Sequence, residues 1–232
     1  RITGVRGPNE LATGVPYAIA FEYQPLATFN ESGITAPAYA VTKHYDIQHP
    51  NDDLETVTFV DGFGRAVQVK KDGVVTSAAK GNSAKDENVM IVSGRNVYDA
   101  FGRVAKAFYP TTEGTGSKST FNKSFDNVSP TVTVYDVLDR ATSVTLPDNS
   151  TTTTAYTVDN GSHALVTTVT DALHNVQATH TNGSGKTLKT IQKSGPDGEI
   201  TTSFEYDGIQ RLVSVTDTEG NVMTSTYDMG EM

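Results

Sequence analysis

The sequence predicts an all-β protein built as an array of antiparallel β-hairpins. Three observations point to it: a composition rich in Thr, Ser, Asn and Gly, apolar positions that alternate with period two, and a short Tyr-Asp-x-x-Gly-Arg corner that keeps returning along the chain.

Composition comes first. Hydrophobic residues make up 36% of the 232 and charged residues 19%, which suits short strands joined by many turns better than helical packing. The length accommodates one large domain, two small ones or an elongated repeat array. A net charge of -9 with no block of Lys or Arg leaves no electrostatic footprint for a polyanion, so nucleic acid is excluded as a partner. No apolar run approaches the roughly 18 to 20 residues of a spanning helix, so no membrane insertion is expected. The absence of Cys removes disulfides, thiolate nucleophiles and Cys-based zinc sites, and leaves the redox compartment open. RITGVRGPNE has neither the charged start nor the apolar middle of a signal peptide. The first residue is not Met and STYDMGEM opens another Tyr-Asp pair at the end, so the expectation is an excised piece of a longer protein.

The corners come next. Four strong copies align: FVDGFGRAVQV (59–69), VYDAFGRVAKA (97–107), VYDVLDRATSV (134–144) and EYDGIQRLVSV (205–215). Their aspartates are separated by 38, 37 and 71 residues, the last step being close to twice the others, with a weaker copy around Asp171 near its middle. A finer step of 21 residues runs from Tyr206 to Tyr227, and inside it TDTEGNV forms a second turn that TDALHNV (170–176) resembles more closely than the Tyr-Asp version. Two turn types therefore alternate.

Each corner has a local physical reading. Asp heads a tight turn and accepts hydrogen bonds from backbone N–H groups two or three residues on, while Gly three residues later takes φ > 0 without a Cβ clash. Tyr ends the incoming strand, offering a flat face for cross-strand packing and a hydroxyl that can stay wet. Arg opens the return strand within reach of the turn's carboxylate. The residues assigned this structural role are Asp61, Gly64, Arg65, Tyr98, Asp99, Gly102, Arg103, Tyr135, Asp136, Arg140, Tyr206, Asp207, Arg211, Asp217, Gly220, Tyr227 and Asp228. In later copies the Gly position holds Asp139 and Gln210. Asp tolerates the left-handed region moderately, whereas Gln is strained there, so a different turn geometry is expected at Gln210.

Between corners the chain reads as strand. Ile200, Thr202, Phe204 and Tyr206 share one face while Thr201, Ser203 and Glu205 share the other. Residues 1–40 are less regular, with alternating Tyr17, Ile19, Phe21 and Tyr23 broken by Pro16, Pro25 and Pro37, and are read as one or two irregular strands ahead of a repeat array over 41–232. The segment 110–130, rich in Gly, Ser and Thr between two prolines, is expected to be a long loop.

Several stretches tempt a catalytic or ligand-binding reading. Gly185, Lys186 and Thr187 end like a phosphate-binding loop, but the first Gly of that motif is replaced by His180 and LKTIQKSG reads as a strand rather than a helix. His44, Asp46 and His49 lie together without the spacing of a zinc motif. The acidic NDD (51–53) and PDGE (196–199) lack the ligand order of an EF-hand. His163, His174 and the serines form no recognisable nucleophile arrangement, and sequons such as Asn149 to Thr151 are expected by chance in so Thr-rich a chain. No catalytic, cofactor or metal residues are assigned.

The VYDAFGR and YDGIQRLVSVTDTEGNV units resemble the YD repeats of the Rhs family, which also includes Tc toxin shell subunits and teneurins. KHYDIQHPNDDLETVTFVDGFGRAVQVKKDG (43–73) is similar to a segment of bacterial members related to virulence-plasmid and Tc toxin proteins. The resemblance covers roughly 41–232 and implies a curved, spiral-like sheet forming part of a hollow shell, secreted or displayed at the cell surface. It implies as partners the remaining repeats and a C-terminal toxin cargo of the same parent chain. The functional expectation is a structural shell segment without catalysis. Rivals are a module that binds a cell-surface glycan or protein, and, third, a hydrolase.

Overall fold

The computed structural model describes residues 1–30, 33–77, 83–123, 129–193 and 198–228. It is all-β and antiparallel, as the composition and alternation predict, and divides into two units, Arg1–Thr131 and Val132–Met232.

The first unit contains β1 (Gly4–Val5), α1 (Pro8–Thr13), β2 (Ile19–Gln24), β3 (Thr28–Asn30), β4 (Gly33–Ala36), β5 (Ala38–His44), β6 (Leu54–Val60), β7 (Ala66–Ser77), β8 (Lys85–Ser93), β9 (Asn96–Tyr98), β10 (Val104–Ala107) and β11 (Thr111–Gly114). Seven of these strands form one sheet in the order β1-β2-β5-β6-β7-β8-β11, while β3 pairs with β4 and β9 with β10. The first forty residues thus hold more order than two irregular strands. Pro8 starts α1, where the Gly7 N–H donates to Glu10 Oε2 at 2.8 Å, and Gly14 at φ 75° ends it.

Register sets the core. Val41, Val57, Lys70 and Val92 face one another across four neighbouring strands, beside Tyr39, Phe59 and Gln68 in the next row. Phe59, Val57, Gln68, Lys70 and Met90 are all fully buried. What covers them is the segment that the sequence reading makes a long loop. Thr111–Gly114 is strand β11, pairing with β8, and a 3-10 turn (Thr115–Ser117) leads into 118–123, which lies over the sheet face. Phe121 meets Phe59 edge-on at 5.4 Å, and the Gln68 side-chain amide pairs with the backbone of Asn122, donating to its carbonyl at 3.1 Å and accepting its N–H at 2.9 Å. The composition looked like a loop because the partners of this strap lie more than forty residues away in sequence.

The second unit is a meander of consecutive antiparallel strands. They are β12 (Thr131–Tyr135), β13 (Ala141–Thr145), β14 (Thr151–Asp159), β15 (Ala164–Thr170), β16 (Val176–Thr181), β17 (Thr187–Lys193), β18 (Glu199–Tyr206), β19 (Leu212–Thr216) and β20 (Val222–Thr224). Only Ala164, Val166 and Ala178 are buried apolar residues among those described, so backbone ladders and β-branched cross-strand pairs such as Thr167–Thr179 and Thr179–Thr190 hold much of this sheet together.

Candidate functional site: the repeated corners

Eight corners among the described residues share one backbone. Headed by Asp61, Asp99, Asp136, Leu146, Asp171, Asn182, Asp207 and Asp217, each has the first N–H donating to the fifth residue's carbonyl and the fourth N–H to the first residue's carbonyl, at 2.9 to 3.2 Å. The fourth residue always has positive φ: Gly64, Gly102, Asp139, Asn149, His174, Gly185, Gln210 and Gly220. This is a three-residue hairpin connection closed by a left-handed residue and a bulge, as the register shifts at Val60, Tyr135 and Tyr206 record.

Gln210 corrects one expectation. Its φ is 67° and its corner keeps the same hydrogen bonds as the glycine versions. Left-handed strain of about 1–2 kcal/mol for an L-residue is too small to overturn a turn held by so many hydrogen bonds.

The leading Asp adds side-chain bonds. In Asp61, Asp99, Asp136, Asp171 and Asp207, Oδ1 accepts the third and fifth backbone N–H groups at 2.8 to 3.0 Å. The other oxygen receives the fifth side chain: Nε of Arg65, Arg103, Arg140 or Arg211 at 2.7 to 2.8 Å, or Nδ2 of Asn175 at 2.8 Å, and Asn221 Nδ2 donates likewise to Asp217 Oδ2 at 2.7 Å. Among the Asp-headed corners the two turn types differ in this fifth residue, Arg in one and Asn in the other. Desolvation pushes the carboxyls of Asp61, Asp99 and Asp136 up, yet the N–H and guanidinium donors of Arg65, Arg103 and Arg140 outweigh it and hold all three below the usual carboxylate range. The Arg211 N–H does the same for Asp207, and the Asn175 and Asn221 side chains do so for Asp171 and Asp217.

The corner arginines reach beyond their own turns. Arg65 lies 4.0 Å over the Tyr98 ring, Arg140 3.9 Å over Tyr156 and Arg211 4.6 Å over Tyr227, while Lys186 sits 6.0 Å from Tyr206. Each of these tyrosines donates its hydroxyl to the carbonyl just after the basic residue: Tyr98 to Ala66 at 3.1 Å, Tyr156 to Ala141 at 3.4 Å, Tyr206 to Thr187 at 2.9 Å and Tyr227 to Leu212 at 2.8 Å. The hydroxyls are therefore staples between hairpins rather than wet ends. Tyr156 was missed because no Asp follows it. Its signal was the interval, 21 residues after Tyr135, the same step as from Tyr206 to Tyr227.

The third residue of several corners is large, apolar and exposed: Phe63 (87%), Phe101 (82%) and Leu173 (82%). Gly185 and Lys186 belong to the Asn182 corner and Thr187 begins β17, so no helix N-terminus faces that glycine. His44 ends β5, and Asp46 turns back on His49, Oδ2 to Nδ1 at 2.7 Å, raising the imidazole's pKa. Pro196 and Asp197 of the acidic PDGE lie outside the described residues. Among the described residues no three His, Asp or Glu side chains are grouped as metal ligands, and no helix is long and apolar enough to cross a membrane.

The family model described as a domain of unknown function, DUF6443, matches residues 33–157. Curated proteins give no sequence match. Among solved structures, crystal structures of TcdB2-TccC3 superpose on 88% of the chain with a TM-score of 0.61 at 18% identity. TcdB2-TccC3 without its hypervariable C-terminal region, and TcdB2-TccC3-Cdc42, each superpose on 93% with a TM-score of 0.60 at 15% identity. The chain spans only 11 to 14% of the length of those chains. With more than half of its length matched by that model, this chain belongs to the DUF6443 family, and its hairpin array has a fold like that of the TcdB2-TccC3 structures.

Proposed function

We propose that the chain is a structural segment of a β-repeat shell in a large exported bacterial protein, where it encloses or displays a toxin or effector and performs no catalysis itself. The observation that carries this reading is the staple. Arg140 and Arg211 each close their own turn and seat a tyrosine further along the chain, so hairpins add in series without any one of them owning a complete core. Likeness in fold to TcdB2-TccC3 supports the same role. Electron microscopy of the full-length gene product tests it: a hollow particle with this segment in its wall is expected, and a filled or extended particle refutes it. Incubation of the folded chain with broad hydrolase probes should give no labelling.

A second reading rests on the exposed Phe63 and Phe101, which would make the corner tips a contact surface for a cell-surface protein or glycan. Binding to cells or a glycan array that a Phe63→Ser, Phe101→Ser double variant abolishes would favour it over a purely architectural role.

A further inference from the structure

We propose that Lys70 and Asn122 become joined by an intramolecular isopeptide bond, with Glu113 as the acid–base group between them. Lys70 is completely buried in a row of valines, a costly place for an ammonium group. Its Nζ donates to Glu113 Oε2 at 2.6 Å and to the Ser117 carbonyl at 2.9 Å. The other oxygen of the same carboxylate, Oε1, accepts Nδ2 of Asn122. Amine and carboxamide are thus held on the two oxygens of one group. Neither side can drift. The Asn122 backbone is clamped by Gln68, itself fully buried, and the preceding Phe121 is docked on Phe59. Ser117 Oγ donates to Glu113 Oε2 at 2.6 Å and fixes the carboxylate.

A nucleophile, its base and an electrophile pre-assembled around a buried amine are what amide exchange requires, because proximity replaces the entropy of encounter. The Lys70 ammonium passes a proton to Glu113 across their contact, leaving a neutral amine and a neutral acid. The amine lone pair attacks Cγ to form the new C–N bond, and the neutral Glu113 acid gives its proton to Asn122 Nδ2. The amine's extra proton returns to Glu113. The bond from Cγ to Nδ2 breaks and ammonia leaves. One primary amine and one primary amide become one secondary amide and one ammonia, with no oxidant, reductant or cofactor. A buried ion pair is exchanged for a neutral amide, which removes the desolvation penalty. The strap is thereby locked covalently to β7.

Intact-mass spectrometry of the full chain tests the bond. The expected mass is one ammonia below that of the sequence, with a tryptic species joining the Lys70 and Asn122 peptides. Glu113→Gln and Lys70→Met are each expected to restore the full mass, and Asn122→Asp to lose one water instead of ammonia. Far-UV circular dichroism confirms that each variant is folded. Full sequence mass in the folded wild type after prolonged incubation overturns the proposal. So does an ammonia loss that maps to the Asn160–Gly161 or Asn182–Gly183 dipeptides, or a loss of water joining Lys70 to Glu113.

Discussion

Replacing Gly64 and Gly102 by Val separates two contributions that the corner combines. Both glycines sit left-handed, at φ 77° and 81°, so either substitution places a β-branched residue where an L-side chain costs about 1–2 kcal/mol. A Cβ at Gly64 meets nothing within 4 Å, and that backbone cost is the whole effect. A Cβ at Gly102 comes 3.0 Å from Arg65 Nη1, and the Val methyls reach further. Arg65 cannot simply swing away, because Nη2 is paired with Asp61 at 2.6 Å and the guanidinium stacks 4.0 Å from Tyr98. Displacing it forfeits a cation–π contact of about 0.5–1 kcal/mol, so Gly102→Val is expected to cost about 2–3 kcal/mol. Gly64→Asn should stay within about 1 kcal/mol, since Asn149 already fills the same corner position at φ 67°. Urea denaturation followed by far-UV circular dichroism reads these differences as midpoint shifts at constant slope. Equal costs at the two glycines would show that the Arg65–Tyr98 contact does not form in solution. Losses below about 0.5 kcal/mol at both would remove the left-handed fourth residue from the account.

Three further outcomes follow from the same geometry. Tyr206→Phe deletes the hydroxyl bond to Thr187 but keeps the ring, and should cost about 0.5–1.5 kcal/mol by urea midpoint; an unchanged midpoint would mean the staple is ring packing alone. Phe121→Ala should cost about 2–3 kcal/mol, less than a fully buried Phe because the ring is only half-buried, and should open tryptic cleavage at Lys118 and Lys123; resistance at both lysines would show that polar contacts suffice to hold the strap. The corner aspartates have folded pKa values below their unfolded ones, so their stabilisation is complete above the ordinary carboxylate range and disappears as pH falls through the folded values. Melting temperature is therefore expected to hold level from neutrality to about pH 5 and to fall below about pH 4, whereas a decline already under way at pH 6 would show that the corner carboxylates do not set the acid limit.

Turn chemistry is written locally, and that is why the corners could be read from sequence. An Asp, a residue free to take positive φ three places on, and a donor four places on specify one another within five residues. The strap has no such signature. Lys70 meets Glu113 across 43 residues and Gln68 meets Asn122 across 54, and nothing near TTEGTGSKSTFN distinguishes a segment pinned over a core from a solvated loop. Gln210 failed as a warning for another reason: propensity acts as a small penalty, and the corner's shared hydrogen bonds decide the conformation. Tyr156 was hidden because the pattern was anchored on its neighbouring Asp, whereas the seat on Arg140 depends on the interval between strands.

The alternation of turn types has a simple geometric origin in the second unit. Consecutive antiparallel strands place successive turns at opposite ends of the sheet, so the corners at Asp136, Asn182 and Asp207 share one rim while those at Leu146, Asp171 and Asp217 share the other. On the first rim the fifth residue is Arg140, Lys186 or Arg211, and each lies against a tyrosine on, or just past, the strand after its hairpin. On the second rim it is Ser150, Asn175 or Asn221, short side chains that bond within their own turn. A guanidinium is long enough to serve its own aspartate and a neighbour's ring together; an asparagine amide is spent on the aspartate. The first rim therefore carries the basic–tyrosine coupling between hairpins, while on the second the fifth residue serves its own turn and a link to the neighbouring strand comes from Thr218, whose hydroxyl donates to the Thr201 carbonyl at 3.0 Å. A change at Arg140 or Arg211 therefore loosens its own turn and a neighbour's tyrosine at once.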